Sequence, residues 1–471
     1  MAQDPEIRFG TDGWRAIIGD TYTFANVERV AAATAVWLRK QAGDRVSAVI
    51  GYDTRFLGRE FAERAAQVLG SHGINVTLSD PFTTTPAVSW ATREFGANVG
   101  VVITASHNPP SYSGYKLKAH FGGPSTPEDV AAVEAELVPE QPAGLVPLDT
   151  LIGDGTIRRV DLTAQYLAAL SEILDLDAIR ASGVRIAYDA MFGAGQGTVT
   201  TLLSDDQVLT IRDDDNPGFH GQAPEPIERN LSDLAELVRA SGCDIGLATD
   251  GDADRIGLFD EKGQFVDAHR IMALLFKYLS QDKGMRGSVV KSFAATDLLD
   301  KMGKAYGLSV ETTKIGFKYI ASRMVESNVI VGGEESGGIA PAGHIPERDG
   351  IYAGLLVVDM MVKKKMKLSE LVDELMAEFG QHWSYRRDLR VSAETKDSFM
   401  DRLLNQGLPE VAGIRIDRVD DLDGLKFRSD SGPWVMIRPS GTEPVLRVYA
   451  EADSHENAKA LVDDVAAMVG L

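Results

Sequence analysis

Ile245-Gly-Leu-Ala-Thr-Asp-Gly-Asp-Ala-Asp-Arg-Ile-Gly-Leu-Phe259 sets three carboxylates, Asp250, Asp252 and Asp254, between two apolar runs. The runs read as buried strands, and the acidic residues as a loop at a strand mouth. Three carboxylates at alternate positions repel one another unless a cation sits among them. A hard divalent ion that takes oxygen ligands, Mg²⁺ or Ca²⁺, meets that need. An acidic solvated turn is the bland alternative, and the apolar flanks on both sides argue against it. An EF-hand loop also has the spacing, with Glu261 at the twelfth position from Asp250. It fails because Arg255 stands where the loop needs a glycine, and because the flanks alternate like strands rather than helices. Mg²⁺ shared between the three aspartates and a phosphate oxygen suits the site better, so the chain must supply the phosphate.

Outward from this stretch the same unit recurs. Val46-Ser-Ala-Val-Ile-Gly-Tyr, Ile74-Asn-Val-Thr-Leu and Val99-Gly-Val-Val-Ile read as strands, as do Val184-Arg-Ile-Ala-Tyr and Val208-Leu-Thr-Ile. A third set follows in Ser288-Val-Val, Ser309-Val-Glu-Thr and Val329-Ile-Val. Between them lie helical patterns, one capped by Asn26 and ending near Gly43, another through residues 60–69. Helices alternating with strands imply largely parallel sheets covered on both faces. Each set ends in a polar, Gly-rich loop: residues 104–116, 250–255 and 332–338. The expectation is three similar mixed α/β domains, 1–145, 150–258 and 259–375, with ligand at the strand ends. A smaller α+β domain over 385–471 follows, with strands at Val435-Met-Ile-Arg and Leu446-Arg-Val-Tyr and a helix over 454–468.

With 471 residues a division into several domains is expected, since single cores rarely grow past about 250–300 residues. The net charge of −21 argues against a nucleic-acid or anionic-membrane partner, though local cations can still bind an anion. Cys243, the only cysteine, excludes a disulfide framework and reads as a small core residue. No run is long enough to span a bilayer, and Met1-Ala-Gln-Asp-Pro-Glu is not a signal peptide. A cytoplasmic enzyme is expected.

Thr104-Ala-Ser-His-Asn-Pro-Pro110 offers a nucleophile. Its two prolines stiffen the loop and hold Ser106 at the end of the 99–103 strand. A serine hydroxyl needs a neighbouring base or a metal; His107 and Lys116 can supply the base, and the aspartate-bound cation can neutralise an attached phosphate. The plain alternative is a proline-anchored surface turn. Arg438-Pro-Ser-Gly-Thr-Glu-Pro444, with Arg447 beyond, combines two hydroxyls, a glycine N–H and guanidinium groups into an anion cradle. It is not a Walker loop, because Gly-x-x-x-x-Gly-Lys-Ser/Thr occurs nowhere. In Gly332-Gly-Glu-Glu-Ser-Gly-Gly338, Glu334 and Ser336 alternate and can accept hydrogen bonds from sugar hydroxyls. Gly193-Ala-Gly-Gln-Gly197 imitates a dinucleotide fingerprint, but its third glycine comes one residue early, which argues against nicotinamide binding.

Taken together these loops resemble the α-D-phosphohexomutases, closest to the phosphoglucomutase/phosphomannomutase group. Phe9-Gly-Thr-Asp-Gly-Trp-Arg15 is similar to that family's N-terminal signature, and four further motifs occur in its order and spacing. The resemblance implies a heart-shaped, four-domain molecule with a central cleft. It implies that Ser106 carries the catalytic phosphate and joins Asp250, Asp252 and Asp254 around Mg²⁺. Lys116 would be the general acid or base, His107 its assistant, and Arg15 and Arg255 charge stabilisers. Thr11, Lys318, Glu334 and Ser336 would contact the sugar phosphate, and Arg438, Ser440, Gly441, Thr442 and Arg447 its distal phosphate.

The implied reaction interconverts hexose 1-phosphate and hexose 6-phosphate, with a hexose 1,6-bisphosphate as intermediate and activator. Gly316-Phe-Lys318 and Glu334-Glu-Ser resemble the glucose-specific members, whereas other members place histidine after that glycine. The Gly337-Gly338 ending departs from both the Gly-His and the Phe-Gly patterns, and the 438–444 and 10–13 motifs are as close to the glucosamine branch. Glucose is the expected sugar, with phosphomannomutase or phosphoglucosamine mutase as alternatives and an Mg²⁺-dependent sugar phosphatase as the competitor of another class. The expected partners are small sugar phosphates, neither nucleic acid nor membrane, for a monomer or homodimer.

Overall fold

The structure is a computed structural model that describes residues 7–10, 12–42, 46–440 and 444–471. Its chain groups into two compact units, Met1–Gly287 with Gly316–Glu370, and Ser288–Ile315 with Leu371–Leu471.

The first unit holds a sheet in which Ser47–Tyr52, Asn75–Ser79, Val99–Ile103 and Ile157–Val160 run parallel. β-branched residues dominate these strands because both faces are covered. Val27, Val30 and Leu38 of the helix Phe24–Ala42 pack with Phe61, Ala65 and Leu69 of Gly58–Ser71 over Ile50 and Val101. Thr23, not Asn26, caps the first helix: its Oγ1 accepts from the Asn26 N–H at 3.2 Å. Asn26 lies one turn inside and spends its side chain on the Thr21 carbonyl and Arg29.

Parallel order does not run to the sheet edges. Tyr112–Ala119 pairs antiparallel with Val99–Ile103, and Gly13–Ile17 pairs antiparallel with Tyr112–Ala119. The second sheet repeats the reversal. Val208–Ile211, Ile186–Asp189 and Ile245–Thr249 are parallel, then Ile256–Asp260 turns back antiparallel. The chain stays in this sheet past Asp260, since Gly263 turns it into a further strand, Phe265–Val266. Val329–Gly333 and Ile339–Pro341 form a third antiparallel pair. Each of the three Gly-rich loops therefore closes a hairpin at the point where its strands change direction.

In the second unit Ser288–Ser292 and Val310–Thr313 pair in parallel. An antiparallel sheet runs in the order 383–390, 445–452, 434–439, 425–428, 418–420. The helix His455–Met468, capped by Ser454, buries Leu461, Val462 and Val465 against Leu446 and Val448. No helix among the described residues is long and apolar enough to cross a membrane.

Candidate active site

Ser106 stands three residues past the end of its strand with φ of +53°, a left-handed conformation that a residue bearing a side chain rarely adopts. Several partners hold it there. Thr104 Oγ1 accepts from the Ser106 N–H at 2.8 Å and donates to Asp53 at 2.5 Å. Arg55, buried to 3 % exposure, commits all five of its guanidinium N–H bonds nearby. Four go to the carbonyls of Ser106 (2.6 Å), Asn108, Pro109 and Tyr112, and the fifth to Asp53.

Held so, the serine hydroxyl donates to Asp250 Oδ2 at 2.7 Å, across 144 residues of sequence. Oxygens of Asp250, Asp252 and Asp254 lie within 4.8 Å of one another, and all three residues are fully buried. Burial and the two neighbouring carboxylates push Asp250 well above the ordinary aspartate range. Burial opposes ionisation of Asp252 too, but Lys116, at 2.8 Å, outweighs it and holds that group low. Asp252 Oδ2 also accepts from Thr85 Oγ1. The outer oxygens, Asp252 Oδ1 and Asp254 Oδ1, are buried with no hydrogen-bond partner. Orphaned carboxylate oxygens beside a serine hydroxyl, in an all-oxygen donor set, fit a hard divalent cation.

Close contacts bring the loops together. A Cβ on Gly251 would stand 2.5 Å from the Ser106 carbonyl, so only glycine lets the acidic loop approach the serine loop. Thr85 N donates to the Asp252 carbonyl at 2.9 Å, and Ala194 N to that of Gly251 at 2.9 Å. The second contact comes from the fingerprint-like stretch, where a Cβ on Gly193 would stand 2.8 Å from the Asp250 carbonyl, so that glycine lets the stretch brace the acidic loop. Ile256 N donates to the Gly337 carbonyl at 3.1 Å, which fixes the third loop to the second.

Lys116 is fully buried between Asp12 (3.0 Å), Asp252 (2.8 Å) and Asp254 (3.2 Å). Burial favours its neutral form, yet the three carboxylates prevail and hold it above the usual lysine range, a firm ammonium. His107 Nδ1 lies 3.4 Å from Ser106 Oγ; burial together with Arg255 and Arg15 lowers its basicity well below normal, which leaves it neutral. Arg15 donates to Asn108 Oδ1 at 2.7 Å. Arg255 gives its backbone N–H to Asp250 Oδ1 at 3.0 Å and faces Glu225 at 3.8 Å.

In the third loop Glu334 accepts from the Gly316 N–H at 2.9 Å, and Ser336 lies two residues on. Lys318 Nζ rests over the Tyr319 ring, and Phe317, where a histidine would have offered a hydrogen bond, is buried beneath the guanidinium of Arg348 at 5.3 Å.

Sequence reasoning missed several members of this cluster. Arg348 Nη2 lies 2.7 Å from both Asp12 Oδ2 and Asp254 Oδ2, and Nη1 lies 4.0 Å from Glu334. Lys118 pairs with Glu347 at 2.7 Å. Thr85 reads locally as part of a Thr-Thr-Pro helix start, where Thr84 makes the cap. Asp12, in the quoted N-terminal motif, and Lys118, two residues past Lys116, were within reach.

The residues expected to form an anion cradle lie in the second unit. Arg438 and Arg447 stand directly opposite on neighbouring antiparallel strands. Like charges so placed repel unless balanced. Asp423 balances Arg438 at 2.9 Å, and Asp388 lies 3.9 Å from Arg447. Ser440 is buried at the strand end, and Lys396 donates to its carbonyl at 3.2 Å. Thr11, Gly441 and Thr442 lie outside the described residues.

The chain is similar to known proteins along nearly its whole length. The chain matches the family described as phosphoglucomutase/phosphomannomutase through its alpha/beta/alpha domains I over residues 6–142, II over 164–263 and III over 267–379, and its C-terminal domain over 389–468. A phosphoglucomutase/phosphomannomutase of Thermococcus kodakarensis is 33% identical over 96% of both chains. A Pyrococcus abyssi protein assigned as a phosphoglucosamine mutase is 31% identical over 98% of this chain and 97% of its own. The crystal structure of a Thermus thermophilus protein assigned as a phosphomannomutase superposes with a TM-score of 0.87, at 35% identity and 99% coverage of both. The chain thus belongs to the phosphoglucomutase/phosphomannomutase family of phosphohexomutases, intramolecular phosphotransferases of the isomerase class.

Proposed function

We propose that the protein interconverts glucose 1-phosphate and glucose 6-phosphate, with Ser106 as phosphoryl carrier and Mg²⁺ held by Asp250, Asp252 and Asp254. The observation that carries this reading is the 2.7 Å contact between Ser106 Oγ and Asp250, beside two buried carboxylate oxygens without partners. When bound, Mg²⁺ would neutralise negative charge on a phosphoryl oxygen. The chain's own residues do the rest. Phosphorylated Ser106 gives its phosphoryl to one oxygen of a sugar monophosphate, the bisphosphate turns end for end, and its other phosphate returns to Ser106. Lys116, a firm ammonium, fits a proton donor to the departing oxygen better than an unaided base. Arg15 and Arg255 balance charge on the transferring group, and neutral His107 offers a hydrogen bond to the serine oxygen. Glu334, Ser336 and Lys318 grip the sugar, with Thr11. The cradle of Arg438, Ser440, Gly441, Thr442 and Arg447 takes the distal phosphate.

Glucose is favoured by Phe317, whose ring faces Arg348 and offers the sugar no hydrogen bond. The names of the relatives span glucose, mannose and glucosamine phosphates. One coupled assay separates them: glucose, mannose and glucosamine 1-phosphates, each with Mg²⁺ and a trace of hexose 1,6-bisphosphate. Conversion of glucose 1-phosphate to the 6-phosphate is expected at the highest kcat/KM. Release of inorganic phosphate instead would make the protein a phosphatase. Ser106→Ala is expected to lower kcat by about 10³-fold or more while substrate binding persists; near-wild-type turnover would reject the carrier.

A further inference from the structure

We infer that Arg348 is a positioning residue of this site, tying the sugar-gripping Glu334 to the acidic loop and keeping that carboxylate in its hydrogen-bond-accepting form. The inference rests on the functional reading above, and extends it to a residue no sequence motif marks. Arg348 reaches the site from the segment before the Gly350–Lys364 helix, whose cap is the next residue, Asp349. Its guanidinium is buried and meets carboxylates from three other loops: Asp12, Asp254 and Glu334. Glu347 lies 3.6 Å from its Nε. The Phe317 ring under the guanidinium fixes the plane from below.

Room for this arrangement comes from the sequence feature that fitted no pattern. A Cβ on Gly338 would stand 2.4 Å from Arg348 Cδ and 3.0 Å from Cγ, so the second glycine of Gly337-Gly338 is the slot through which the arginine stem passes. Gly338 has ordinary backbone geometry, so a side chain there would press on the arginine and on little else.

The consequence falls on Glu334. Burial pushes its carboxyl up to about 7; Arg348 resists, Glu335 adds to the rise and Arg255 opposes it. The Gly316 N–H is the hydrogen bond it accepts. A protonated Glu334 loses acceptor capacity toward two sugar hydroxyls. With Arg348 in place the group is poised to ionise within the neutral range. Without it, ionisation moves to higher pH.

Calorimetric titration of the full chain with glucose 6-phosphate, repeated across the neutral pH range, tests this. Wild-type affinity should fall as pH drops through about 7. Sugar-phosphate ionisation contributes to the profile as well, but equally in every variant, so the difference between variants reports Glu334. Arg348→Gln should move the midpoint upward by about one pH unit, roughly a fivefold loss of affinity at pH 7. Gly338→Ala, which keeps every charge and displaces the arginine stem, should shift it the same way by less. Arg348→Lys, a cation without the forked geometry, should recover part of the midpoint. Glu334→Gln should remove the difference altogether. Unmoved midpoints in Gly338→Ala and in folded Arg348→Gln, or a loss equal at every pH, would overturn the inference alone. A wild-type chain that binds no hexose phosphate would overturn the functional reading and this inference with it.

Discussion

Ser106 and its three aspartates were readable because each lies in a contiguous motif whose local chemistry is complete: a proline-stiffened loop, and carboxylates too close to be left unbalanced. Arg348, Arg55 and Thr85 were not, because each acts across the fold on a loop far away in sequence. Arg55 shows how such a residue can be tested. Lysine has three donors where the guanidinium has five, so Arg55→Lys must abandon at least two of the carbonyls or Asp53. The loop would slacken around a serine whose left-handed backbone needs support. Steady-state kinetics should show kcat down by about 10–100-fold with KM little changed, since a misplacement near 1 Å is enough for that loss. A parallel fall in KM and kcat, or none in either, would count against the clamp. Thr23 teaches a smaller lesson: Asn26 is an equally good cap by type, and only the register of the helix start decides between them.

At the scale of elements, the strands built on apolar runs of four or five were legible to within a residue or two, whereas the more polar Gly13–Ile17, Tyr112–Ala119, Ile157–Val160 and Trp383–Arg390 carry no such run and were not read. Strand direction was not legible. Helices alternating with strands predict parallel pairs, whereas the reversals at 112–119, 256–260 and 339–341 involve hairpins without a covering helix between the paired strands. The loops of those hairpins hold the residues proposed for the chemistry, and Gly251 is where one touches another. Gly251→Ala is expected to destabilise by about 1–3 kcal/mol and to weaken Mg²⁺ binding, read by thermal melting and calorimetry.

The second unit offers a pH test of its own. Lys426 is buried, donates to the Phe293 carbonyl, and lies 3.6 Å from the Trp434 ring centre and 3.7 Å from Asp297. Burial lowers its pKa to about 7, with Asp297 resisting and Lys291 and Arg428 assisting. The unfolded chain, with lysine near ~10.4, binds that proton more tightly, so stability is highest above ~10.4 and is lost as pH falls toward about 7. Lys426→Met should flatten this slope and melt at or above the wild-type temperature at neutral pH, because Asp297 keeps Lys291 and Arg428. An unchanged slope would show that the lysine stays charged.

Across the whole molecule, the four-domain division was visible in motif order, and the family matches follow it in sequence. Less visible was that residues 288–315 group with the C-terminal sheet. They were assigned by their α/β alternation, which says nothing about the partner a segment packs on. Two compact units need not melt together. Scanning calorimetry with Mg²⁺ alone should raise the transition of the unit that holds Asp250, Asp252 and Asp254 and leave the other in place. At a hundredfold excess over Kd the gain is about 2.7 kcal/mol. A single transition that Mg²⁺ does not move would argue against a resident cation. The net charge of −21 makes the local cations matter more: a phosphorylated sugar is repelled at long range and must be captured at close quarters.

The fourfold grip of Arg55 on the serine loop, with its fifth donor on Asp53, has a consequence for the path of the sugar. An anchor tied at every donor cannot swing to follow a departing substrate. In the proposed cycle, then, the sugar does the turning while the pivot stays still. Some bisphosphate should escape with each turnover, and the rate at which labelled intermediate appears in the medium would measure how often the somersault fails.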